Sequence, residues 1–285
     1  MTKPTRTIAA LAAAACLAPI AALSQDEEGA GRLGPFEVSA NVAWTTDYRW
    51  RGVSFSDGDF AVQGGFDAAH SSGFYAGVWA SSIEEYGATQ GVLLVEVLDE
   101  NGGPGTDALP TFLSGAETEL DVYGGFAGEA GALGYDVGVI WYTYPGSSVD
   151  TDYAEVYGSL SAGAGPGALT GGVGYIWDQD NTFGGDNIYV FGDYSANLGG
   201  TGLTLDAHLG YTDGAFALDG TQFDWLVGLS YELAGLTFQA AYVATDADTD
   251  VDASNIEDPA LRRDVEDSVE DILGHTAIFT VSKSF

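Results

Sequence analysis

Residues 275–285 read HTAIFTVSKSF and alternate between apolar and polar side chains. The apolar positions of this alternation are Ala277, Phe279, Val281 and Phe285. The polar positions are Thr276, Thr280, Ser282 and Ser284, with Ile278 as the exception among them. A period of two places successive side chains on opposite faces of an extended chain. The stretch is therefore predicted to be a β-strand with two different environments.

The end of this strand indicates the class of protein. An apolar strand that stops on an aromatic carboxy-terminal residue, here Phe285, resembles the closing strand of bacterial outer-membrane barrels. The barrel-assembly machinery reads such an ending and is therefore an expected partner. The rest of the chain must then supply the other strands of an all-β transmembrane barrel.

The amino-terminal segment predicts export. Lys3 and Arg6 precede an alanine-rich apolar run from Ile8 to Leu23, and residues 1–24 are typical of a cleaved signal peptide. Cys16, the only cysteine, lies within it, so the mature chain has no disulfide. A lipoprotein cleaved at Cys16 is the alternative.

Later residues include no run of about 18 apolar residues, so helical membrane proteins are excluded.

The charge balance narrows the choice of partner. The chain has 8 Lys and Arg against 42 Asp and Glu, and removal of the predicted signal peptide takes away two basic residues, leaving 6 − 42 = −36. Nucleic acid is excluded as a partner at that charge. However, 46% of the residues are hydrophobic and 12% are aromatic, which is unusual for a disordered or a very acidic soluble protein. A barrel with a lipid-facing wall and an acidic lumen fits both observations.

Alternation along the chain predicts twelve antiparallel strands, each close to the length of a tilted membrane strand. The predicted strands are residues 36–50, 60–69, 74–83, 118–128, 133–144, 153–162, 169–178, 187–196, 203–212, 223–233, 236–245 and 275–285. A fourteen-strand alternative would use Val92 to Leu98, but Pro110 and the lack of alternation argue against it. Whether that segment enters the lumen or extends the third strand stays open.

The connections alternate between short glycine-rich turns and longer acidic loops, which predicts the topology. Short turns are expected on the periplasmic side, together with both termini. Long outer loops are expected at residues 84–116 and 246–274, and residues 25–35 are expected to be a periplasmic lead-in to the barrel, residues 36–285.

Aromatic residues are predicted to form two belts at the membrane interfaces. The outer belt would contain Trp50, Phe60, Trp141, Trp177, Tyr211, Phe223 and Trp225. The inner belt would contain Phe36, Phe66, Phe126, Tyr135, Tyr194, Tyr231 and Phe285.

Charged residues at lumen-facing positions are the candidates for a constriction near the outer mouth. They are Arg49, Arg51, Glu119, Asp121, Glu155 and Asp224. Opposed charges could orient a permeating solute, as they do in porins. Alternatively, the two arginines could neutralise the acidic wall and brace a narrow barrel. The sequence leaves both interpretations open.

Two further patterns contain residue types that can carry chemistry. His208 and Asp206 share the lumen face of one strand, but a hydrolase would need a serine, a base and an orienting group at the lipid-facing surface, and the chain has no GxSxG motif. We therefore expect no enzyme and no cofactor.

The acidic loop places Asp246, Asp248, Asp250, Asp252 and Glu257 at calcium-loop spacing, although Val251 replaces the required glycine, so this is a weak Ca²⁺ candidate.

A helix is predicted immediately after the acidic loop. Asp258 can serve as its N-cap and Pro259 as its first residue, and apolar residues follow at helical spacing. Those residues are Leu261, Val265, Val269 and Ile272. A short amphipathic helix at this point could fold against or into the barrel mouth.

Several segments together resemble a known family. They include SANVAWTTDYRWRGVSF, ELDVYGGFAG, YDVGVIWYTYPG, DYAEVYGSLS and DWLVGLSYELAGLTFQAAYV, with the terminal VSKSF. These are similar to the TorF-type porin family of proteobacteria, a set carried as conserved proteins of unknown function, and Tyr48 to Gly52 is the most specific match. The resemblance implies an outer-membrane location and a porin-like role. It implies no substrate and no catalytic residue.

The sequence therefore predicts a channel for passive diffusion of small hydrophilic solutes, with a preference for cations because acids exceed bases on the lumen face. The alternative function is a plugged barrel that acts as a structural or adhesive protein of the outer membrane.

Overall fold

The structure is a computed structural model, and it describes residues 31–86, 89–98, 104–113, 115–182, 184–217, 220–247, 249 and 259–285. The predicted signal peptide and the first residues of the predicted lead-in lie outside these ranges. Within the lead-in, Gly31–Leu33 forms a short strand that folds back on the first long strand.

The described residues form seventeen strands and one helix in the following order. The strands are β1 (Gly31–Leu33), β2 (Phe36–Thr45), β3 (Arg49–Trp50), β4 (Val53–Ser54), β5 (Ala61–His70), β6 (Phe74–Tyr86), β7 (Thr89–Leu98), β8 (Pro104–Leu113), β9 (Ala116–Ala130), β10 (Leu133–Thr143), β11 (Tyr153–Ala164), β12 (Gly167–Ile176), β13 (Asn187–Asn197), β14 (Leu203–Gly214), β15 (Thr221–Leu233), β16 (Leu236–Thr245) and β17 (Thr276–Ser284). The helix α1 (Pro259–Leu273) lies between β16 and β17.

Antiparallel pairing closes the main sheet into a barrel. The sheet contains thirteen strands, of which β1 pairs with β2 alone, so twelve strands form the wall. Neighbours along the chain pair in sequence, β17 pairs with β2, and β2 also pairs with β5, which completes the ring. Thr280 lies opposite Thr45 and Ser284 opposite Asn41 in the closing pair. The predicted twelve-stranded antiparallel barrel is confirmed.

The two faces of the wall differ in polarity as the alternation predicts. On β10, Val137 is 53% exposed on the outside, whereas Asp136 beside it is 4% exposed and faces the lumen. On β14, Leu209 is exposed and His208 is buried in the same way. Large apolar side chains thus cover the outside of the wall, which is the surface that a hydrocarbon environment stabilises.

The first wall strand is shorter than predicted. β2 ends at Thr45, and β5 begins at Ala61, which pairs with Thr45. The connection between them, residues 46–60, folds into the lumen, and we name it the inner loop. Trp50 is 5% exposed inside the barrel, so its assignment to the outer aromatic belt was wrong. Trp44 and Phe60 stack outside the wall where the inner loop leaves and returns.

The stretch predicted to be an irregular outer loop contains a β-hairpin. β7 and β8 pair antiparallel from Thr89 opposite Leu113 to Leu98 opposite Pro104, in a sheet separate from the wall. Pro110 lies within β8, opposite Val92. Proline is tolerated there because a two-stranded hairpin has only edge strands. The segment therefore adds no strand to the wall, in agreement with twelve strands rather than fourteen.

Helix α1 begins at Pro259, as predicted, and packs against the inner loop. Asp271 of α1 lies beside Gly58, and the Ser268 hydroxyl donates to Asp57 Oδ1 over 3.5 Å. No helix among the described residues combines the length and the apolar character required to cross a membrane.

Candidate constriction in the barrel lumen

The inner loop is held in its curled shape by one carboxylate of its own. Asp47 accepts hydrogen bonds from the hydroxyls of Ser54 and Ser56 over 2.6 and 3.1 Å. The same carboxylate accepts from Arg49 Nε over 2.6 Å. A buried carboxylate needs such donors because water cannot reach it. Asp47 thus stabilises the turn that carries both arginines away from the wall strand.

The turn requires backbone geometry that favours glycine. Arg51 has a φ of 50° and Gly52 a φ of 83°. A Cβ on Gly52 would lie 2.9 Å from the Cβ of Asp224 and 3.0 Å from that of Thr245. Gly52 therefore allows the backbone of the inner loop to approach β15 and β16 closely.

Arg51 joins the inner loop to the opposite wall. Its Nη2 lies 2.5 Å from Oε2 of Glu155 on β11, and both side chains are 2% exposed. The guanidinium carbon is 4.1 Å from the ring centre of Trp50 and 4.2 Å from that of Tyr189. Gln222 Nε2 donates to the Arg51 carbonyl over 3.0 Å. The guanidinium of Arg51 therefore has two aromatic rings within cation–π distance and a carboxylate partner.

Gly174 on β12 leaves the room that this ion pair occupies. A Cβ at that position would lie 2.2 Å from Glu155 Oε1 and 3.4 Å from Arg51 Nη2. Gly174 also lies directly opposite Tyr189 in the β12–β13 pair. The Glu155 carboxylate and the Arg51 guanidinium thus lie against the backbone of Gly174, where no side chain intervenes.

Arg49 joins the inner loop to helix α1 instead of to the wall. Its Nη1 donates to the carbonyl of Gly274 over 2.7 Å, and its Nη2 donates to that of Asp271 over 2.8 Å. A longer bond of 3.3 Å reaches the carbonyl of Ile272. The last carbonyls of a helix have no partner within the helix, and a cation stabilises that end. Arg49 therefore caps α1.

The other predicted constriction acids lie on the wall around the inner loop. Glu119 is fully buried and accepts a hydrogen bond from the Tyr48 hydroxyl over 2.8 Å. Asp121 is buried on the same strand, within electrostatic range of Glu119 and Glu155. Asp224 on β15 contacts a different set of groups, around His208.

His208 lies between two carboxylates and a tyrosine. Its Nδ1 is 2.6 Å from Asp193 Oδ1, and its Nε2 is 3.0 Å from Asp224 Oδ1 and 2.8 Å from the Tyr189 hydroxyl. Asp206, which shares its strand face, instead accepts from Ser195 and Ser230 over 2.8 and 3.1 Å. These partners differ from the serine, base and orienting group of a hydrolytic triad.

Tyrosines bond to carboxylates elsewhere on the lumen face. The Tyr75 hydroxyl donates to Asp136 Oδ1 over 2.7 Å and also bonds to Tyr157. Tyr123 donates to Asp67. These pairs give the lumen a polar lining made of phenol and carboxylate groups.

Four residues of the predicted calcium loop, Asp248, Asp250, Asp252 and Glu257, lie outside the described residues. Asp246 is described, and its carboxylate accepts from the backbone nitrogen of Phe223 over 2.6 Å. Over the described ranges, no group of three or more histidine, cysteine, aspartate or glutamate residues could hold a metal ion.

The aromatic and glycine partners of the arginines are not predicted by the sequence. Trp50 and Tyr48 are predicted to lie on the wall because alternation continues past Thr45, and the alternation itself does not mark the turn. Tyr189 and Gly174 are far from Arg51 in sequence, so only closure of the barrel brings them together. The one local signal of a turn was Asp47 with Ser54 and Ser56 close behind it, because such side chains bond to nearby backbone in turns.

Comparisons with known proteins give one family and several barrel structures. Residues 29–285 match the sequence model of a family described as "Bacterial protein of unknown function (Gcw_chp)". No curated protein matches the sequence. Among solved structures, the KdgM porin aligns over 87% of this chain and 98% of its own, with 8% identity and a TM-score of 0.48. The NanC porin aligns over 86% and 97%, with 10% identity and a TM-score of 0.47. An anion-selective porin from Comamonas acidovorans aligns over 88% and 98%, with 14% identity and a TM-score of 0.37.

Proposed function

The chain belongs to the Gcw_chp family of bacterial proteins of unknown function, and we propose that it is an outer-membrane channel for passive diffusion of small hydrophilic solutes, with a preference for cations. The resemblance of Tyr48 to Gly52 and the neighbouring segments to TorF-type porins supports the same proposal.

The proposed location rests on the outer surface of the wall. Side chains such as Val137, Leu160 and Leu209 are more than half exposed there. Lipid is the solvent that makes such exposure favourable, and a closed barrel leaves no unpaired strand edge within the bilayer. The closing strand β17, which precedes Phe285, supports recognition by the barrel-assembly machinery. Both termini are proposed to be periplasmic.

The observation that carries the cation preference is the charge of the lumen face. Buried carboxylates on the wall strands are Asp67, Glu119, Asp121, Asp136, Glu155, Asp193, Asp206 and Asp224. The buried basic side chains in the lumen, among the described residues, are Arg49, Arg51 and His208. Arg49 is already paired with Asp47 of its own loop. The wall therefore has an excess of negative charge.

An acidic lumen acts on solutes through its electrostatic potential. Low-dielectric walls concentrate the field of the carboxylates along the axis, which raises the local concentration of cations and lowers that of anions. Because the inner loop fills part of this lumen, we expect passage to be restricted to small solutes.

The inner loop also favours a second candidate function. Its contacts with Glu119, Glu155 and Gln222 fill the lumen with buried side chains, as a plug would. A permanently plugged barrel would serve as a structural or adhesive protein of the outer membrane. The two functions differ in whether the purified protein conducts ions.

Planar bilayers separate these functions. Purified protein in a potassium chloride gradient should give discrete conductance steps and a reversal potential shifted toward that of K⁺. A Glu119→Gln, Asp121→Asn variant should shift the reversal potential toward zero, because two lumen carboxylates become neutral. Glu117→Gln is the matched control, since Glu117 lies exposed on the same strand. A silent barrel would support the plug, and anion selectivity would overturn the proposal.

A further inference from the structure

The surroundings of Arg51 form a complete site for a planar cation. The guanidinium carbon lies 4.1 Å from the ring centre of Trp50 and 4.2 Å from that of Tyr189. Its Nη2 lies 2.5 Å from the Glu155 carboxylate. Rings within this range attract a cation through their negative faces, and a carboxylate matches the donor geometry of a guanidinium.

Most of this site belongs to the wall, not to the inner loop. Glu155, Gly174 and Tyr189 lie on β11, β12 and β13, which are consecutive paired strands. Trp50 and Arg51 are the parts that the inner loop supplies. If the inner loop moved, the wall would still present a carboxylate, an aromatic face and the bare backbone of Gly174 in the same arrangement.

The inner loop is joined to the wall mainly through side chains. Tyr48 bonds to Glu119, Arg51 to Glu155, and Gln222 to the Arg51 carbonyl. Two backbone bonds also join it to the wall, from the Thr46 nitrogen to the Phe279 carbonyl and from the Glu84 nitrogen to the Phe55 carbonyl. The two short strands of the inner loop, β3 and β4, pair with each other and are not part of the wall sheet. Release of residues 47–60 would thus leave the paired strands of the wall intact.

Two further carboxyl groups lie near this site. Glu119 and Asp121 lie on the lumen face of β9, and Asp121 is within electrostatic range of Glu155. Asp121 Oδ1 is a buried oxygen atom that has no hydrogen-bond partner among the described residues. An arriving cation would therefore meet an acceptor oxygen that Arg51 does not contact.

We propose that Glu155, Tyr189 and Gly174 form a binding site for the guanidinium group of a permeating solute, and that Arg51 is a tethered occupant which such a solute displaces. This inference rests on the proposed channel function and specifies its solute class. Guanidinium-bearing solutes compete with Arg51 for the site, weaken the attachment of the inner loop and so open their own path.

The chemistry of the site distinguishes guanidinium from ammonium. A guanidinium is planar and weakly hydrated, so it can lie against an aromatic ring while its edge contacts a carboxylate. An ammonium group is compact and strongly hydrated, so it loses more hydration free energy than a guanidinium does when it enters a site without water. Arginine should therefore be favoured over lysine although both carry the same net charge.

The first experiment uses the unmodified full-length barrel in liposomes and planar bilayers, with L-arginine chloride and L-lysine chloride as probes. We expect arginine to permeate about fivefold faster than lysine, a ratio that a cation–π contact accounts for. Equal rates, or faster lysine permeation, would overturn the inference. This comparison requires no substitution and so does not depend on the folding of a variant.

The second experiment vacates the site. In Arg51→Ala, K⁺ conductance should rise and free guanidinium ion should then block it in a concentration-dependent manner. Adding Glu155→Gln should abolish the block. Arg263→Ala is the matched control, because Arg263 is exposed on α1, and it should behave like the unmodified protein. Heat-modifiable migration of each variant in SDS gels checks that the barrel has formed.

The outcomes separate this inference from the function on which it rests. A barrel that is silent to K⁺ in the unmodified protein and in Arg51→Ala would overturn both. A K⁺-conducting barrel that treats arginine and lysine alike, and whose Arg51→Ala variant is insensitive to guanidinium ion, would overturn only the guanidinium site and leave the channel function in place.

Discussion

Two arginines that are two residues apart hold the inner loop against different parts of the molecule. Arg51 contacts side chains of β11 and β13, whose positions are fixed by the barrel ladder. Arg49 contacts the carboxylate of Asp47 in its own loop and the last carbonyls of helix α1. The first attachment joins the inner loop to the rigid wall. The second joins it to another connection at the mouth.

The difference assigns separate roles to the two attachments. The partners of Arg51 line the lumen, so a change there alters the path of a solute. The partners of Arg49 lie in the inner loop and at the end of α1, so a change there alters the cover of the barrel and leaves the wall carboxylates in place. If this distinction is correct, substitutions at the two attachments should have different effects on conductance.

The largest effect is expected at the floor of the Arg51 site. Gly174→Ala would introduce a Cβ 2.2 Å from Glu155 Oε1, so the carboxylate must move away from Arg51. We expect a loss of about 3 kcal/mol in the free energy of unfolding, from overpacking and the disturbed buried ion pair. Urea unfolding in detergent micelles measures the stability, and single-channel recording should show a raised conductance.

Gly171→Ala is the matched control for this change. Gly171 lies on the same strand at an outward-facing position, and a Cβ there would meet its nearest neighbour, the Phe191 carbonyl, at 3.9 Å. It should leave both stability and conductance close to those of the unmodified protein. Equal effects of the two substitutions would mean that Gly174 matters as a strand residue and not as the floor of the site.

An intermediate effect is expected at the other attachment. Arg49→Ala removes three hydrogen bonds to the carbonyls at the end of α1. We expect the docking of α1 to weaken by about 1–2 kcal/mol, because hydrogen bonds from a charged donor contribute that much. Limited proteolysis within residues 259–274 should become faster, whereas ion selectivity should stay unchanged. A rise in K⁺ conductance as large as that expected of Arg51→Ala would show that the two attachments are not separate.

The smallest effect concerns pH at the contact between the inner loop and α1. Burial, and then the nearby Asp271, raise the pKa of Asp57 above its ordinary value of 3.8, with smaller contributions from Asp59 and Asp47 and an opposing hydrogen bond from Ser268. A raised pKa means that the docked state binds a proton more tightly than the undocked state. Docking should therefore be tighter at acid pH and should weaken as the pH rises through the raised pKa of Asp57.

Asp57→Asn tests this dependence directly. The variant keeps a side chain of similar shape but cannot ionise, so proteolysis of α1 should vary less with pH between 4 and 7 than in the unmodified protein. Conductance should not change, since Asp57 lies at the mouth and not among the wall carboxylates. An identical pH profile in both proteins would assign the dependence to other carboxylates at this contact.

Much of the wall followed from the sequence because its environment changes with a period of two. Phe279 on β17, Leu209 on β14 and Asp136 on β10 all face the side that alternation predicts. The prediction failed after Thr45, where Tyr48 and Trp50 continue the apolar alternation although the chain has left the wall. Alternation indicates that the two faces of a segment differ in polarity. The inner loop alternates in this way although both of its faces lie inside the lumen, so alternation alone does not place it in the wall.

The sequence by itself determined the number of wall strands, their order and the side that most of their residues face, because lipid outside and polar groups inside select opposite side chains at successive positions. The tertiary structure decided the course of residues 46–60 and the partners of Arg49 and Arg51. Glu155, Gly174 and Tyr189 are more than 100 residues from Arg51 along the chain, and only the closed circumference of the barrel brings them within contact of one guanidinium.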